Sequence, residues 1–268
     1  MNNLVVSIVS YNSNLKQLAQ VLSFVKNNKI KVYIYDNAKQ KMLEKLCKKK
    51  KFYYYRSNKN VGFGVGHNFN IMKSIKYNPY YLILNPDVYL KPKDVSNCLK
   101  FLKKKKSYGL LSPKLINDDG TTQLICRLIP NIFNFFLRFF FKTDNRSAQI
   151  HKFIEKNNKK FFLNIPFMHG ACFFIKPEVI KKIGLFDNNF FMYLDDLDFY
   201  RRILEKFDTI YLKSVIVKHS HNRESRRSLK LFLIHVRSII YYFIKWGVFF
   251  DFKKKNLNKK WLTFINHN

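Results

Sequence analysis

Acid is what this 268-residue chain is short of: 17 Asp and Glu stand against 50 Lys and Arg, a formal charge of +33. Such an excess points to an anionic polymer or a membrane surface as partner. Forty of the fifty basic residues are Lys, however, and Asn, Ile, Phe and Tyr are also abundant, the pattern that AT-rich coding produces without selection for binding. Cysteine is sparse as well. Cys47, Cys98, Cys126 and Cys172 are scattered with no C-x-x-C spacing, which argues against a zinc site or a small disulfide framework and fits reduced thiols in cytosol. The first eleven residues lack a basic leader and their apolar run has strand length, so no export is expected. Long uncharged runs are missing too. Leu128 to Phe141 is short and contains Pro130 and Arg138, while Leu229 to Phe250 is interrupted by Lys230, His235, Arg237 and Lys245; a span needs roughly 20 mostly uncharged residues. No repeat is evident. Gly62, Gly64 and Gly66 are not spaced G-x-G-x-x-G and follow the third apolar run, not the first, which argues against a dinucleotide fingerprint.

What is present, at 47% hydrophobic residues, is enough apolar material for one substantial core with an appendage. Short β-rich runs alternate with polar helical stretches through the first third: Leu4 to Ser10, Ile30 to Tyr35, Phe52 to Arg56 and Tyr80 to Leu84 are the apolar runs. This alternation predicts βαβ units and a mainly parallel central sheet. Ligands of open α/β sheets collect at the carboxyl ends of the strands, and those ends carry Ser10-Tyr11-Asn12, Asp36-Asn37-Ala38, Asn60 to Asn68 and Asn85-Pro86-Asp87. Further on, Asp118-Asp119-Gly120 signals a hairpin, Gly170 to Ile175 a strand, and Lys176-Pro177-Glu178 the start of a short helix ending near Gly184. From about Arg226 to Phe250 the pattern is helical and apolar with basic interruptions, and a Lys-rich tail closes the chain.

The scarce acids are unevenly placed. Asp195, Asp196 and Asp198 crowd three carboxylates into four positions. They fit the first turn of a helix, where its dipole stabilises negative charge, and they equally fit a catalytic base, because mutual repulsion raises the proton affinity of at least one. Asp87 directly follows an apolar strand, where a carboxylate can hold a divalent cation on a diphosphate, although Asn-Pro-Asp is also turn-forming. Asp36 can accept from the imide N–H of a pyrimidine or cap the following helix. His219 follows a strand and can present a neutral imidazole ligand, or be an ordinary surface His.

Taken in order, Val6 to Asn12, Asp36-Asn37-Ala38, Asn60-Val61-Gly62 to Asn68, Leu84 to Val88, Gly170-Ala171-Cys172, Gly184 to Asp187 and Phe191 to Asp198 resemble family 2 glycosyltransferases, particularly the bacterial rhamnosyltransferase-like branch. The resemblance runs from residue 4 to about 228. It implies an α/β, GT-A-type nucleotide-sugar-binding fold with a C-terminal helical extension. Residues 1–225 would be the catalytic domain, 1–110 its nucleotide-binding half and 111–225 its acceptor-binding and catalytic half, and residues 226–268 a basic amphipathic extension. The implied activity is inverting transfer of a sugar, rhamnose from dTDP-rhamnose being the best match, from a nucleoside-diphosphate donor to a lipid-linked or cell-surface glycan such as capsule or lipopolysaccharide. By the same resemblance Asp196 is the catalytic base with Asp195 beside it; Asp87 and His219 hold Mg2+ or Mn2+; and Ser10, Tyr11, Asn12, Asp36, Asn60, Gly62, Asn68 and Asn85 line the donor site. The family often has Glu followed by Asp where this chain has Asp195 and Asp196, which loosens the role of Asp195.

Arg223 to Arg227 and the helix through His235, Arg237, Tyr241, Trp246 and Gly247 also look like the extension of that branch. Ile132 to Phe141 and this helix mix aromatic and aliphatic residues with Lys and Arg, as an anionic membrane interface requires; burial or a contact between two copies, as in a homodimer, is the alternative. The expected location is the cytoplasm, at the inner face of the cell membrane. A basic nucleic-acid-binding protein also fits the charge and the 17% aromatic content, but it leaves the carboxylates unexplained, and no specific nucleic acid is expected.

Overall fold

Leu4–Ser10 (β1) reads LVVSIVS and is buried along nearly its whole length, the signature of a central strand covered on both faces. Its partners are of the same kind: Ile30–Asp36 (β2) and Tyr80–Leu84 (β4) flank it in parallel, with Ser10 opposite Asp36 and Ser7 opposite Ile83. Tyr53–Arg56 (β3) extends the parallel set beyond β2. The computed structural model describes residues 3–25, 30–132, 145–220, 229–248 and 250–267. Three helices connect the first strands: Leu15–Val21 (α1), Lys41–Lys50 (α2) and Phe63–Ser74 (α3).

Beyond β4 the sheet changes character. Val88–Tyr89 (β5), Pro92–Leu102 (α4), Tyr108–Ile116 (β6), Cys126–Arg127 (β7), Asn145–Lys156 (α5), Phe162–Leu163 (β8), Phe167–Met168 (β9), Cys172–Ile175 (β10), Pro177–Ile183 (α6), Asp195–Leu204 (α7) and Asp208–His219 (β11) follow. The sheet order is β3-β2-β1-β4-β10-β6-β11-β5, with β8 also on β11. The expected parallel core is there, since β6 pairs β11 in parallel. Between the two parallel sets lies β10, antiparallel to both β4 and β6. One continuous sheet therefore joins the first and second halves of the chain, and the start of β10 lies at the edge where β4 ends.

Two local expectations are revised. The Asp118-Asp119-Gly120 turn forms, with Asn117 N donating to Thr121 O at 2.8 Å, and the bridge Ile116 to Thr122 and the bond from Gln123 N to Leu115 O at 2.9 Å continue it, but the pairing does not extend to Cys126. Cys126 and Arg127 pair instead with Met168 and Phe167. The Lys-rich tail is also no tail. After Leu229–Trp246 (α8), residues Phe252–Asn266 form a helix (α9) whose N-cap Asp251 accepts from Lys254 N. Its buried Trp261 packs against Phe162 and Phe264, and Asn258 exchanges two hydrogen bonds with the backbone of Ile129 at 3.0 and 2.8 Å. Of the aromatic segment Ile132 to Phe141 only Ile132 is described, and Arg223 to Arg227 lie outside the described residues. Among the described residues no helix is long and apolar enough to cross a membrane.

Candidate active site

Because β1, β2, β4, β6 and β11 run in one direction, their C-terminal ends share an edge, and the polar residues of interest collect there. Asp87 and His219 meet across the β5–β11 pairing, in which Val88 lies opposite His219. Asp87 O accepts from Ser220 N at 3.0 Å, and Asp87 Oδ1 lies 3.2 Å from His219 Nε2. Gln123 decides what the imidazole presents. Its amide NH2 donates to Asn117 Oδ1 at 2.7 Å and to His219 O at 2.9 Å, which turns Oε1 toward His219 Nδ1 at 2.8 Å. An amide oxygen only accepts, so Nδ1 carries a hydrogen, and Nε2 is the ring nitrogen turned toward Asp87. Asp87 Oδ1 is buried and makes no hydrogen bond among the described residues. A carboxylate oxygen and an imidazole nitrogen facing one another, the imidazole oriented from behind, form a donor pair suited to a divalent cation. Among the described residues no cluster of three or more His, Cys, Asp or Glu stands ready for a metal, so any ion here would take its remaining ligands from water or a bound diphosphate.

The carboxylates of α7 are tied to the same edge through two residues of the second half. Asn85 N donates to Ala171 O at 3.0 Å, and the neighbouring Gly170 N donates to Asp196 Oδ2 at 2.9 Å. The run Asp87, Asn85, Ala171, Gly170, Asp196 is thus continuous. Gly170 is needed there because a Cβ would stand 2.7 Å from Asp196 Cβ. Asp196 is partly exposed, its Oδ1 accepting from Leu197 N at 2.9 Å, whereas Asp195 is buried between the first turns of α3 and α7. Burial, followed by the charge of Asp196, pushes the Asp195 carboxyl up to about 8, against a pull from the amides of Asp196, Asp195 and Gly64. The acids do occupy the first turn of a helix; Asp195 and Asp198 are both removed from water, Asp198 against Arg202, Lys245 and Trp246, and Asp196 alone of the three keeps some exposure.

The residues leading into this pair are held in an expensive shape. Tyr193 (φ 67) and Leu194 (φ 62) are consecutive left-handed residues, a conformation that costs a residue with a Cβ about 1–2 kcal/mol. Just ahead of them Phe191 O accepts from Phe63 N at 3.1 Å. Gly62 makes that approach feasible: its φ is +90, and a Cβ there would meet Phe191 O at 1.8 Å. The close neighbour at this glycine is protein backbone.

The other candidates are distributed along the edge. Ser10 is buried, donating to Ser13 Oγ at 2.9 Å, with its O accepting from Asn37 N at 2.8 Å. Tyr11 is exposed, and Asn12 has φ 51. Asp36 is fully buried; Oδ1 accepts from Ala38 N at 2.8 Å, and Oδ2 from Gln40 N at 2.7 Å and Tyr54 Oη at 2.8 Å. It stabilises the turn after β2, and the N-cap of α2 is Gln40. Asn60 Oδ1 accepts from Gly62 N at 2.9 Å. Asn68 faces the second half: it bonds both backbone groups of Phe186, accepting at 2.9 Å and donating at 2.8 Å, and donates to Asn188 Oδ1 at 2.8 Å. Gln123, Gly170 and Asn37, whose amide bonds Val61 N and Gly62 O, were not legible as site residues. Nor was the buried set formed by Ser7 of β1 with His67 and Asn70 of α3, in which His67 Nδ1 and Ser7 Oγ lie 2.7 Å apart and burial pushes His67 down to about 3.

The sequence profile described as Glycosyl transferase family 2 matches residues 5–184. The chain belongs to that family. Among relatives of this family 2 glycosyltransferase, the low-salt glycan biosynthesis hexosyltransferase Agl10 of Haloferax volcanii is 25% identical over 74% of the chain, which spans 61% of that protein's length. The rhamnosyltransferase WbbL of Escherichia coli K12 is 24% identical over 79% of the chain and 81% of its own. Two solved structures share the architecture over 97% of the chain: S. aureus TarS in complex with UDP (TM-score 0.59, 12% identity, 70% of that chain) and the mannosyltransferase PcManGT from Pyrobaculum calidifontis in complex with GDP-Man and Mn2+ (TM-score 0.54, 11% identity, 74% of that chain). These likenesses establish a GT-A fold for this family 2 glycosyltransferase, as its sheet order and C-terminal helices indicate.

Proposed function

We propose that this family 2 glycosyltransferase transfers a sugar with inversion from a nucleoside-diphosphate donor, dTDP-rhamnose first among candidates, to a lipid-linked or cell-surface glycan. The supporting observation is the pair of contacts from Asn85 N to Ala171 O and from Gly170 N to Asp196 Oδ2, which ties a cation-type donor pair and a partly exposed carboxylate to one sheet edge. In this reading Asp196 takes the proton from an acceptor hydroxyl, and the oxygen attacks the anomeric carbon opposite the leaving group. The bond to the diphosphate breaks with its electron pair going to the phosphate oxygen, so the configuration inverts. Asp87 and His219 would hold Mg2+ or Mn2+, which when bound neutralises charge on the departing diphosphate. Asp195, buried and with its carboxyl pushed up to about 8, holds its proton near neutral pH in this reading and is not the base.

Ser10, Tyr11, Asn12, Asn60 and Asn85 line the donor side of the edge, and Gly62 and Asn68 shape it. A carboxylate has about four acceptor positions. Asp36 uses three of them in the contacts above, which leaves one for a pyrimidine imide N–H; a base reaches it by displacing a neighbouring side chain.

The acceptor is read as membrane-borne because of α8. Leu229, Leu233, Ile240 and Ile244, 74, 57, 56 and 76% exposed, share one face at helical spacing, and Arg237 of the same helix and Phe250, Phe252, Lys253 and Lys255 after it are exposed as well. Apolar residues within a basic surround suit an anionic lipid surface, consistent with work at the inner face of the cell membrane; a second copy of the chain is the competing occupant.

The deciding assay is release of nucleoside diphosphate from a panel of dTDP-, UDP- and GDP-sugars with Mn2+ or Mg2+. Asp196→Asn should lower turnover by about 100- to 10,000-fold with donor affinity kept. Turnover close to wild type in that variant would sink the assignment.

A further inference from the structure

The segment Phe191 to Leu194 bridges two bodies. On one side it is fastened to the turn before α3 by the bond from Phe63 N to Phe191 O. On the other side it is fastened to α8. Ser238 Oγ donates to Met192 O at 2.7 Å, and the rings of Tyr193 and His235 lie with centroids 4.6 Å apart, inclined by 31°. Phe190 meets Tyr241 edge-on at 4.8 Å. The chain then passes through the left-handed Tyr193 and Leu194 and delivers Asp195 and Asp196 at the start of α7.

Ser238 is buried at 4% exposure in α8, between the exposed Arg237 and the apolar Ile239 and Ile240. A mid-helix serine commonly bonds back to the carbonyl four residues earlier; its hydrogen bond among the described residues goes across to Met192 instead. Unfavourable backbone conformations persist only where their surroundings hold them, and here the surroundings of the strap are largely α8. The same helix is locked to α7 from below. Trp246 Nε1 donates to Asp198 Oδ1 at 2.9 Å, Lys245 reaches Asp198 at 2.8 Å and Asp187, ahead of α7, at 2.6 Å, and the buried Arg201 donates to Tyr242 Oη at 2.6 Å. Strap and α7 are thereby referenced to one rigid element, and the setting of Asp196 relative to the donor follows from α8.

We infer that Ser238 and His235 are positioning residues that fix the Met192–Leu194 strap and through it the stance of Asp196, so that the C-terminal helix is part of the catalytic unit. The inference rests on reading Asp196 as the base.

The test uses the full chain with Ser238→Ala, Ser238→Thr, Asp196→Asn and the double variant Ser238→Ala/Asp196→Asn. Ser238→Ala is expected to lower kcat about 10- to 100-fold with the affinity for dTDP plus Mn2+ unchanged, to shift the pH profile of kcat, and to be rescued by Thr. In the Asp196→Asn background the same change should cost almost nothing further, because residues acting through one another are not additive. An unchanged kcat, or an equal loss in both backgrounds, overturns the proposal. If Asp196→Asn itself turns over normally, the base reading fails, and hydrogen exchange still decides the strap: Ser238→Ala should speed exchange of amides 192–197 while α8 amides keep their protection. Unchanged exchange there, or loss spread over the whole chain, refutes it.

Discussion

Gln123 Oε1 faces His219 Nδ1 at 2.8 Å across 96 positions of sequence, and through it the imidazole is turned so that Nε2 looks toward Asp87. Replacing Gln123 with Met keeps the volume and removes the acceptor. Partners of this kind typically contribute 10–100-fold to metal affinity, so Gln123→Met should weaken Mn2+ binding by about that factor in titration calorimetry, with the fold intact by circular dichroism. Unaltered Mn2+ affinity would remove His219 from the cation site.

Gly62 and Gly120 have nearly the same φ, +90 and +83, but very different space: a Cβ at Gly62 runs into Phe191 O, while nothing lies within 4 Å of one at Gly120. Gly120→Ala should therefore cost the backbone term alone, about 1–3 kcal/mol. Gly62→Ala should cost more and also lower turnover, since the strap to Asp195 and Asp196 must move. Urea unfolding of the two variants separates the effects, and equal losses would contradict the close-approach role.

Asp195 makes stability depend on pH in a defined direction. Its folded value, about 8, lies above the ordinary 3.8, so the folded state binds the proton more tightly than the unfolded chain. The stability associated with the neutral form is complete below about pH 4 and is lost as pH rises through 8. Asp195→Asn keeps a neutral side chain at every pH. Its urea midpoint should fall less between pH 5 and pH 9 than that of the wild type, and parallel curves would mean that Asp195 is not carrying the proton. His67, held neutral by burial, acts in the opposite sense, withdrawing stability as pH falls from about 6.5 toward 3, and is common to both proteins.

The outward stripe of α8 predicts lipid binding that depends on both apolar and basic residues. The wild type should float with vesicles containing phosphatidylglycerol at low salt, and Ile240→Asp/Ile244→Asp should stay in the bottom fraction without loss of thermal stability, because both side chains are exposed. A wild type that fails to float, or that forms dimers which the double variant dissolves, assigns the stripe to a second copy.

Strand ends were readable because their signal is local. A run such as Leu4 to Ser10 followed by polar residues states both the strand and its loop, and Ser10, Asp36 and Asp87 all stand where that pattern puts them. The antiparallel insertion of β10 was not readable, since Cys172–Ile175 is equally apolar in either direction. A C-terminal helical extension over 226–268 was readable, but its division into α8 and α9 was not, because the buried face of α9 rests on few residues, Trp261 among them, in a stretch dominated by Lys.

Composition and local order alone determined the fold class and the supply of carboxylates, since both are written in contiguous residues whose periodicity and turn chemistry act at short range, while the family was legible as a resemblance carried by motifs in a fixed order. Only the tertiary structure decided which of two adjacent aspartates leaves water, which ring nitrogen of His219 is turned toward Asp87, and which glycines face protein. Burial, ring orientation and steric space are properties of what packs against a residue, and for Asp195, His219 and Gly62 the packing comes from Gly64, Gln123 and Phe191, each far away in the chain.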